Sequence, residues 1–270
     1  MLYVPRRSPL SYPAGRKAGF DVNHVASVGV RLSAVANGPT FLNLLTGKAG
    51  ARAQTFVPGT QATIIGPLGQ AVFPSALGDS VTFSGFPASI DANCTIAIIF
   101  MPYLTGGYEY YFTNSTNGAG QSLNINATAN LQFTMFGVVA ESSNIVVQSL
   151  RPYFIAVSQN GTSNINYLCL ELDTGNIFTD TTASSTAILP DGNYRLFTDP
   201  ANGSVGGGYM AAAMYSSNYM SMQQLRHWAA DPWAFWYPRQ RQNWTGPAAT
   251  FEAAWARGSN ISVVGAGTYH

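Results

Sequence analysis

Charge is scarce in this chain: Asp, Glu, Lys and Arg together make up 9% of its 270 residues, against about 25% in an ordinary soluble protein. With 46% apolar residues to hide, the chain must fold or associate, and disorder is excluded. A net charge of +1 lacks the broad positive field that sequence-independent nucleic-acid binding requires, so no nucleic-acid partner is expected. Long apolar runs are missing too. The stretches Cys94–Met101 and Leu168–Leu172 fall well short of the roughly 18 residues of a membrane-spanning helix, so no membrane is expected. The 2 cysteines, Cys94 and Cys169, lie inside apolar runs and read as small buried thiols, too few for a zinc site. His24, His227 and His270 are scattered without HxH or HExxH spacing, which leaves metal sites and histidine-based triads unsupported. No GxSxG, P-loop or CxxC occurs, and Gly206-Gly-Gly208 is not followed by Lys-Ser/Thr, so no cofactor is expected. The opening MLYVPRRSPLSYPAGRK sets arginines among prolines without an apolar core. It does not read as a secretory signal, and synthesis in a reducing cytoplasm is the expectation.

The charge that is present is unevenly placed. Through Arg52 the chain carries +6, from Ala53 to Leu225 it carries −7, and the remainder carries +2. A near-neutral total thus conceals a basic arm on an acidic body, a pattern suited to contacts with neighbouring subunits. Pro5, Pro9, Pro13, Gly15, Gly19, Gly29, Gly38 and Pro39 leave that arm no window for a stable helix, so it is expected to run extended. It nevertheless carries Phe20, Val28, Leu32, Phe41, Leu42, Leu44 and Leu45, too many apolar groups for a solvated segment. It should lie along its own body or along a partner.

From about Ser80 period-two runs take over, broken by Gly, Asn, Ser and Thr. Strands are expected at 81–83, 94–101, 123–125, 131–135, 153–157, 167–172, 194–197 and 209–215, with turns marked by Asn117-Gly, Asn160-Gly, Asp191-Gly and Asn202-Gly. Many short antiparallel strands make a sandwich or barrel. One helix is expected over Ser221–Ala230, opened by the capping box Ser221-Met-Gln-Gln224 and closed by Asp231-Pro232. The aromatic run Trp233-Ala-Phe-Trp-Tyr237 should dock onto the sandwich.

The segments Gly208–Tyr215, Ser221–Leu225 and Asp231-Pro-Trp233 follow the order of a strand ending in Tyr, a short capped helix and a D-P-W turn. In that order and spacing they resemble the end of a concanavalin A-like, laminin-G-type jelly roll. Asp79–Phe86 with Cys94–Pro102 resembles its opening strands, and Arg151–Asn160 its central strand. The D-P-W ending and Phe41–Gly47 resemble domains of this kind encoded by phages and prophages. Two departures stand out: the Trp usual near Tyr153 is absent, and the arm and the tail after Arg239 lie outside the pattern. The fold expected is therefore all-β, an antiparallel jelly-roll sandwich over 79–240 with one short helix. A basic N-terminal arm and lead-in over 1–78 precedes it, and a tail over 241–270 follows.

Such folds host glycosidases, sugar binders and structural modules alike, so the site must decide. Retaining glycosidases need two carboxylates about 5 Å apart, whereas here Glu171-Leu-Asp173 is followed by Gly175 and Asn176 where a third carboxylate would stand. Glu171 and Asp173 read as a solvated strand end, and no enzyme is expected. Seven N-x-S/T sequons read as turn chemistry in an Asn-, Ser- and Thr-rich chain. What the resemblance implies is a structural protein of a phage virion, a capsid decoration or other minor virion protein. Its partners would be the major capsid protein and further copies of itself; a non-catalytic lectin or tail adhesin that binds a host glycan is the alternative. The interaction residues expected are Arg6, Arg7, Arg16 and Lys17 in the arm, Phe41 and Leu44 behind it, and Tyr108, Tyr110 and Tyr111 in an aromatic strand.

Overall fold

The computed structural model describes residues 13, 18–37, 40–53, 63–65, 68–74, 80–86, 93–114, 121–135, 139–161, 163–184, 192–198 and 207–238. Its strands, in chain order, are β1 (Val30–Asn37), β2 (Thr40–Asn43), β3 (Lys48–Ala49), β4 (Ala51–Ala53), β5 (Thr63–Ile65), β6 (Gly69–Ala71), β7 (Ser80–Phe83), β8 (Asn93–Pro102) and β9 (Glu109–Thr113). They continue with β10 (Gln121–Ile125), β11 (Asn130–Met135), β12 (Val139–Val146), β13 (Tyr153–Asn160), β14 (Asn164–Glu171), β15 (Ile177–Ala183), β16 (Tyr194–Leu196) and β17 (Gly208–Ser216), before the helix α1 (Met222–Ala229). One sheet of 8 strands runs β15-β14-β13-β8-β17-β1-β2-β3, and a second of 7 runs β12-β11-β10-β9-β16-β7-β4. A separate pair, β5-β6, carries Leu68 and Ala71 onto the outer side of the eight-stranded sheet. All recorded strand pairings are antiparallel, including β8 with both β13 and β17. The expected all-β sandwich is what the chain forms.

Side-chain alternation divides the eight-stranded sheet between two cores. Cys94, Ile96, Ile98 and Phe100 of β8 point into the layer between the sheets, beside Tyr153, Ile155 and Val157 of β13 and Ile165, Tyr167 and Cys169 of β14. Their alternates Ala97, Ile99, Phe154, Ala156, Leu168 and Leu170 form a second core on the other face. That face is closed by Leu225, Trp228 and Ala229 of α1 and by Trp233, Phe235 and Trp236 just beyond it. Burial on both faces is why these strands read as unbroken apolar runs. Both cysteines are buried free thiols, and burial pushes the Cys169 thiol far above its ordinary value.

The helix starts where its sequence requires. Ser221 Oγ accepts the Gln224 N–H at 3.3 Å while Gln224 Oε1 accepts the Ser221 N–H at 2.8 Å, and the chain leaves helical geometry after Ala230. Trp228 Nε1 then donates to Pro232 O at 3.2 Å, which folds the aromatic run back over the sheet. Among the described residues no helix is long and apolar enough to cross a membrane.

The lead-in expected over 1–78 is corrected by this architecture. β1 sits between β17 and β2 inside the eight-stranded sheet, and β4 pairs with β7 at the edge of the other. Sandwich therefore begins at Val30 rather than Asp79. Upstream, the Gly19 N–H donates to Trp236 O at 2.8 Å and the Asp21 N–H to Phe235 O at 3.2 Å, so the chain is tied to the body at both points. Between β2 and β3 the Gly47 N–H closes a turn on Asn43 O at 2.8 Å. The 241–270 tail lies outside the described residues.

Candidate binding surface

The expected interaction residues do not form one surface. Arg6, Arg7, Arg16 and Lys17 lie outside the described residues. Phe41 is fully buried between the sheets with its ring 6.2 Å from Phe197, and Leu44 is part-buried against the second core. Phe41 is thus corrected to a core residue, placed there because β2 belongs to the sheet.

The aromatic strand β9 splits three ways. A register shift between Leu123 and Asn124 sets Phe112 opposite Leu123 and Tyr110 opposite Asn124. Tyr111 is the extra residue, and this bulge turns both Tyr111 and Phe112 into the core. Tyr111 donates to Gly207 O at 3.0 Å with its ring 4.6 Å from Phe100. Burial, reinforced by Glu109, raises its hydroxyl well above the ordinary tyrosine value. It is corrected to a core residue. Tyr110 is half-buried on the outer face of the seven-stranded sheet, and Tyr108 is exposed at the strand's start.

That outer face is polar by alternation. Thr82, Arg195, Thr113, Ser122 and Thr134 stand in one cross-strand row, and Tyr110, Asn124, Gln132 and Ser142 in the next. Its amides are spent on one another. Asn124 Nδ2 donates to Gln132 Oε1 at 2.8 Å, Thr134 Oγ1 donates to Asn124 Oδ1 at 3.0 Å, and Gln132 Nε2 donates to Ser142 Oγ at 2.8 Å. Asn124 and Ser122 are fully buried. The ladder holds the sheet together and offers a ligand little.

The carboxylates are likewise committed. Glu171, expected at a solvated strand end, is buried: it accepts Arg151 Nη1 at 2.8 Å, Asn176 Nδ2 at 2.9 Å and the Thr174 hydroxyl. Asp173 accepts Arg151 Nε at 3.0 Å. One guanidinium therefore bridges the two acids, and the turn that follows β14 folds over Glu171. Glu109, which no sequence motif singles out, is 2% exposed and accepts the Thr105 N–H at 3.0 Å, the Thr105 hydroxyl and the Gly207 N–H at 2.9 Å. Among the described residues no group of three or more His, Cys, Asp or Glu could hold a metal ion. His24 accepts the Ala26 N–H on Nδ1 at 3.1 Å, its ring 5.2 Å from Trp228. Burial lowers it to about 4, against Asp21 and with His227.

No protein-family model matches the chain, and no curated protein matches it. Solved structures do. The botulinum neurotoxin serotype C1 binding domain aligns with 74% of this chain at 11% identity and a TM-score of 0.53. Trypanosoma rangeli sialidase aligns with 76% at 12% identity and a TM-score of 0.51, over 33% of its own length. A tailspike of Escherichia coli O157:H7 bacteriophage CAB120 aligns with 61% at 16% identity, but its TM-score of 0.44 is too low to carry weight. The chain spans about half the length of the toxin domain, 51%. Likenesses this distant in sequence establish a shared β-sandwich fold alone.

Proposed function

We propose that this protein is a non-catalytic structural component of a bacteriophage virion, a capsid decoration or other minor virion protein that works through protein–protein contacts. One observation supports the reading above others. The body from Ala53 to Leu225, built around the apolar layer between its sheets, carries a net −7, while the segment that holds Arg6, Arg7, Arg16 and Lys17 carries four bases and no acid through Lys17. A basic segment joined to an acidic body suits a neighbour's acidic surface. The order of the jelly-roll motifs supports the phage setting. Glu171 and Asp173, both held by Arg151, have no free carboxylate to act as acid or nucleophile. Mass spectrometry of purified particles from cells carrying the gene tests this: the chain co-purifies at fixed stoichiometry with the capsid, and its absence from particles would refute the proposal. A second reading, non-catalytic glycan binding, is favoured by the exposure of Tyr108.

A further inference from the structure

The connection between β8 and β9, Tyr103–Tyr108, carries the chain from one sheet to the other at one end of the sandwich. Its sequence, Tyr-Leu-Thr-Gly-Gly-Tyr, has no charged side chain. Both terminal tyrosines face solvent, Tyr103 at 51% and Tyr108 at 52% exposure. The loop that presents them is held from beneath.

Three features fix it. Glu109, buried below the turn, takes the N–H and hydroxyl of Thr105 and also the Gly207 N–H, so one carboxylate ties the turn to the start of β17. The Tyr103 N–H donates to Gly207 O at 2.9 Å, and the Leu104 N–H to Ser149 Oγ at 3.1 Å. Gly207 and Gly208 let the two backbones touch: a Cβ on Gly207 would lie 2.7 Å from Tyr103 O, and one on Gly208, at φ +123, would lie 2.3 Å from Met101 O. Taking a carboxylate out of water is costly. Here it is used to hold a turn whose outward groups are two phenols.

We propose that the Tyr103–Tyr108 turn is a binding site for a neutral saccharide, with sugar C–H faces stacked on the two rings and the sugar hydroxyls served by the phenols and the turn's backbone. The turn supplies apolar planes and uncharged hydrogen-bonding groups together, which is what a sugar ring presents in return. Exposed Leu150, whose N–H donates to Pro102 O at 2.7 Å, borders the platform. Six residues offer far less than the roughly 800 Å² per partner of a stable protein interface, but enough for a small ligand. Glu109 has its oxygens committed to the turn, so it acts as a positioning residue and the sugar is held without being cleaved. The inference rests on the second reading above, glycan binding, and not on the virion role.

The test is the full chain on a printed array of neutral bacterial surface oligosaccharides, followed by titration of the strongest binder. Wild type binds at least one oligosaccharide; Tyr103→Ala and Tyr108→Ala each weaken it about tenfold with unchanged thermal unfolding. Glu109→Gln weakens it with both rings intact, and Tyr108→Phe retains most of the affinity. Absence of binding by wild type, or binding indifferent to both tyrosines, overturns the proposal. If the tyrosine variants instead lose particle incorporation while no oligosaccharide binds, the turn belongs to a protein contact and the saccharide site is refuted. The array reads the isolated chain and particle composition reads the virion role, so either reading can fail alone.

Discussion

Two polar positions, Gln159 buried and His24 half-buried, show how single side chains stabilise this sandwich. Gln159 Oε1 accepts Gln121 Nε2 at 3.0 Å, and Gln159 Nε2 donates to Gly161 O and Ser184 Oγ at 3.0 Å each. This amide links β13 to β10 across the core. Gln159→Leu removes the acceptor that Gln121 uses, and a loss of about 1–3 kcal/mol is expected in urea unfolding. His24 makes stability depend on pH. Its folded-state value near 4 lies below its ordinary 6.5, so the unfolded chain binds more protons between those values. The contribution of neutral His24 is complete above pH 6.5 and is lost as pH falls through 4, in total roughly 3 kcal/mol. Thermal unfolding of wild type should therefore fall more steeply from pH 7 to pH 4.5 than that of His24→Asn. Equal slopes would show that His24 is not buried neutral. Neither Gln159 nor the buried Glu109 and Glu171 could be recognised from the sequence. Their burial depends on partners such as Gly207 and Arg151, 98 and 20 residues away along the chain.

Among the elements, all eight strands expected from the sequence are present, and those buried on both sides give the longest apolar runs. Ile96–Met101, Tyr153–Val157, Tyr167–Leu170 and Tyr209–Tyr215 are apolar at every position, because two cores use alternate residues. β15, with the sequence IFTDTTA, is an edge strand and largely solvent-facing, so it has little apolar pattern to read. β1, VRLSAVAN, hides its inward Leu32, Ala34 and Ala36 among alanines of low strand propensity. The β9 bulge is set by cross-strand register, which no single strand's sequence contains. The helix was legible because its cap is local. The cap and the aromatic face of α1 differ in weight. Ser221→Ala is expected to cost about 1 kcal/mol. Trp228→Ala is expected to cost about 3–5 kcal/mol, since that ring lies within 5.1–5.6 Å of Phe154, Phe235 and Trp236. Chemical denaturation of the two variants checks the order; a cap variant that is the less stable of the two would contradict the assignment of the second core to α1.

For the whole molecule, segregation of charge is the feature both the sequence and the fold make plain. The net +6 before Ala53 is now divided between strands inside the sandwich and the four bases ahead of Gly19. If those four bases anchor the protein to a neighbour, the sandwich should not need them. The measurement that tests this most directly is the occupancy, in purified particles, of a chain lacking residues 1–17, alongside its thermal unfolding. The account predicts that occupancy collapses while the unfolding temperature of the purified chain stays within about 2 °C of wild type, a shift below what 1 kcal/mol produces at this size. Full occupancy with a much lower unfolding temperature would contradict it, and would make the segment a strap across its own body.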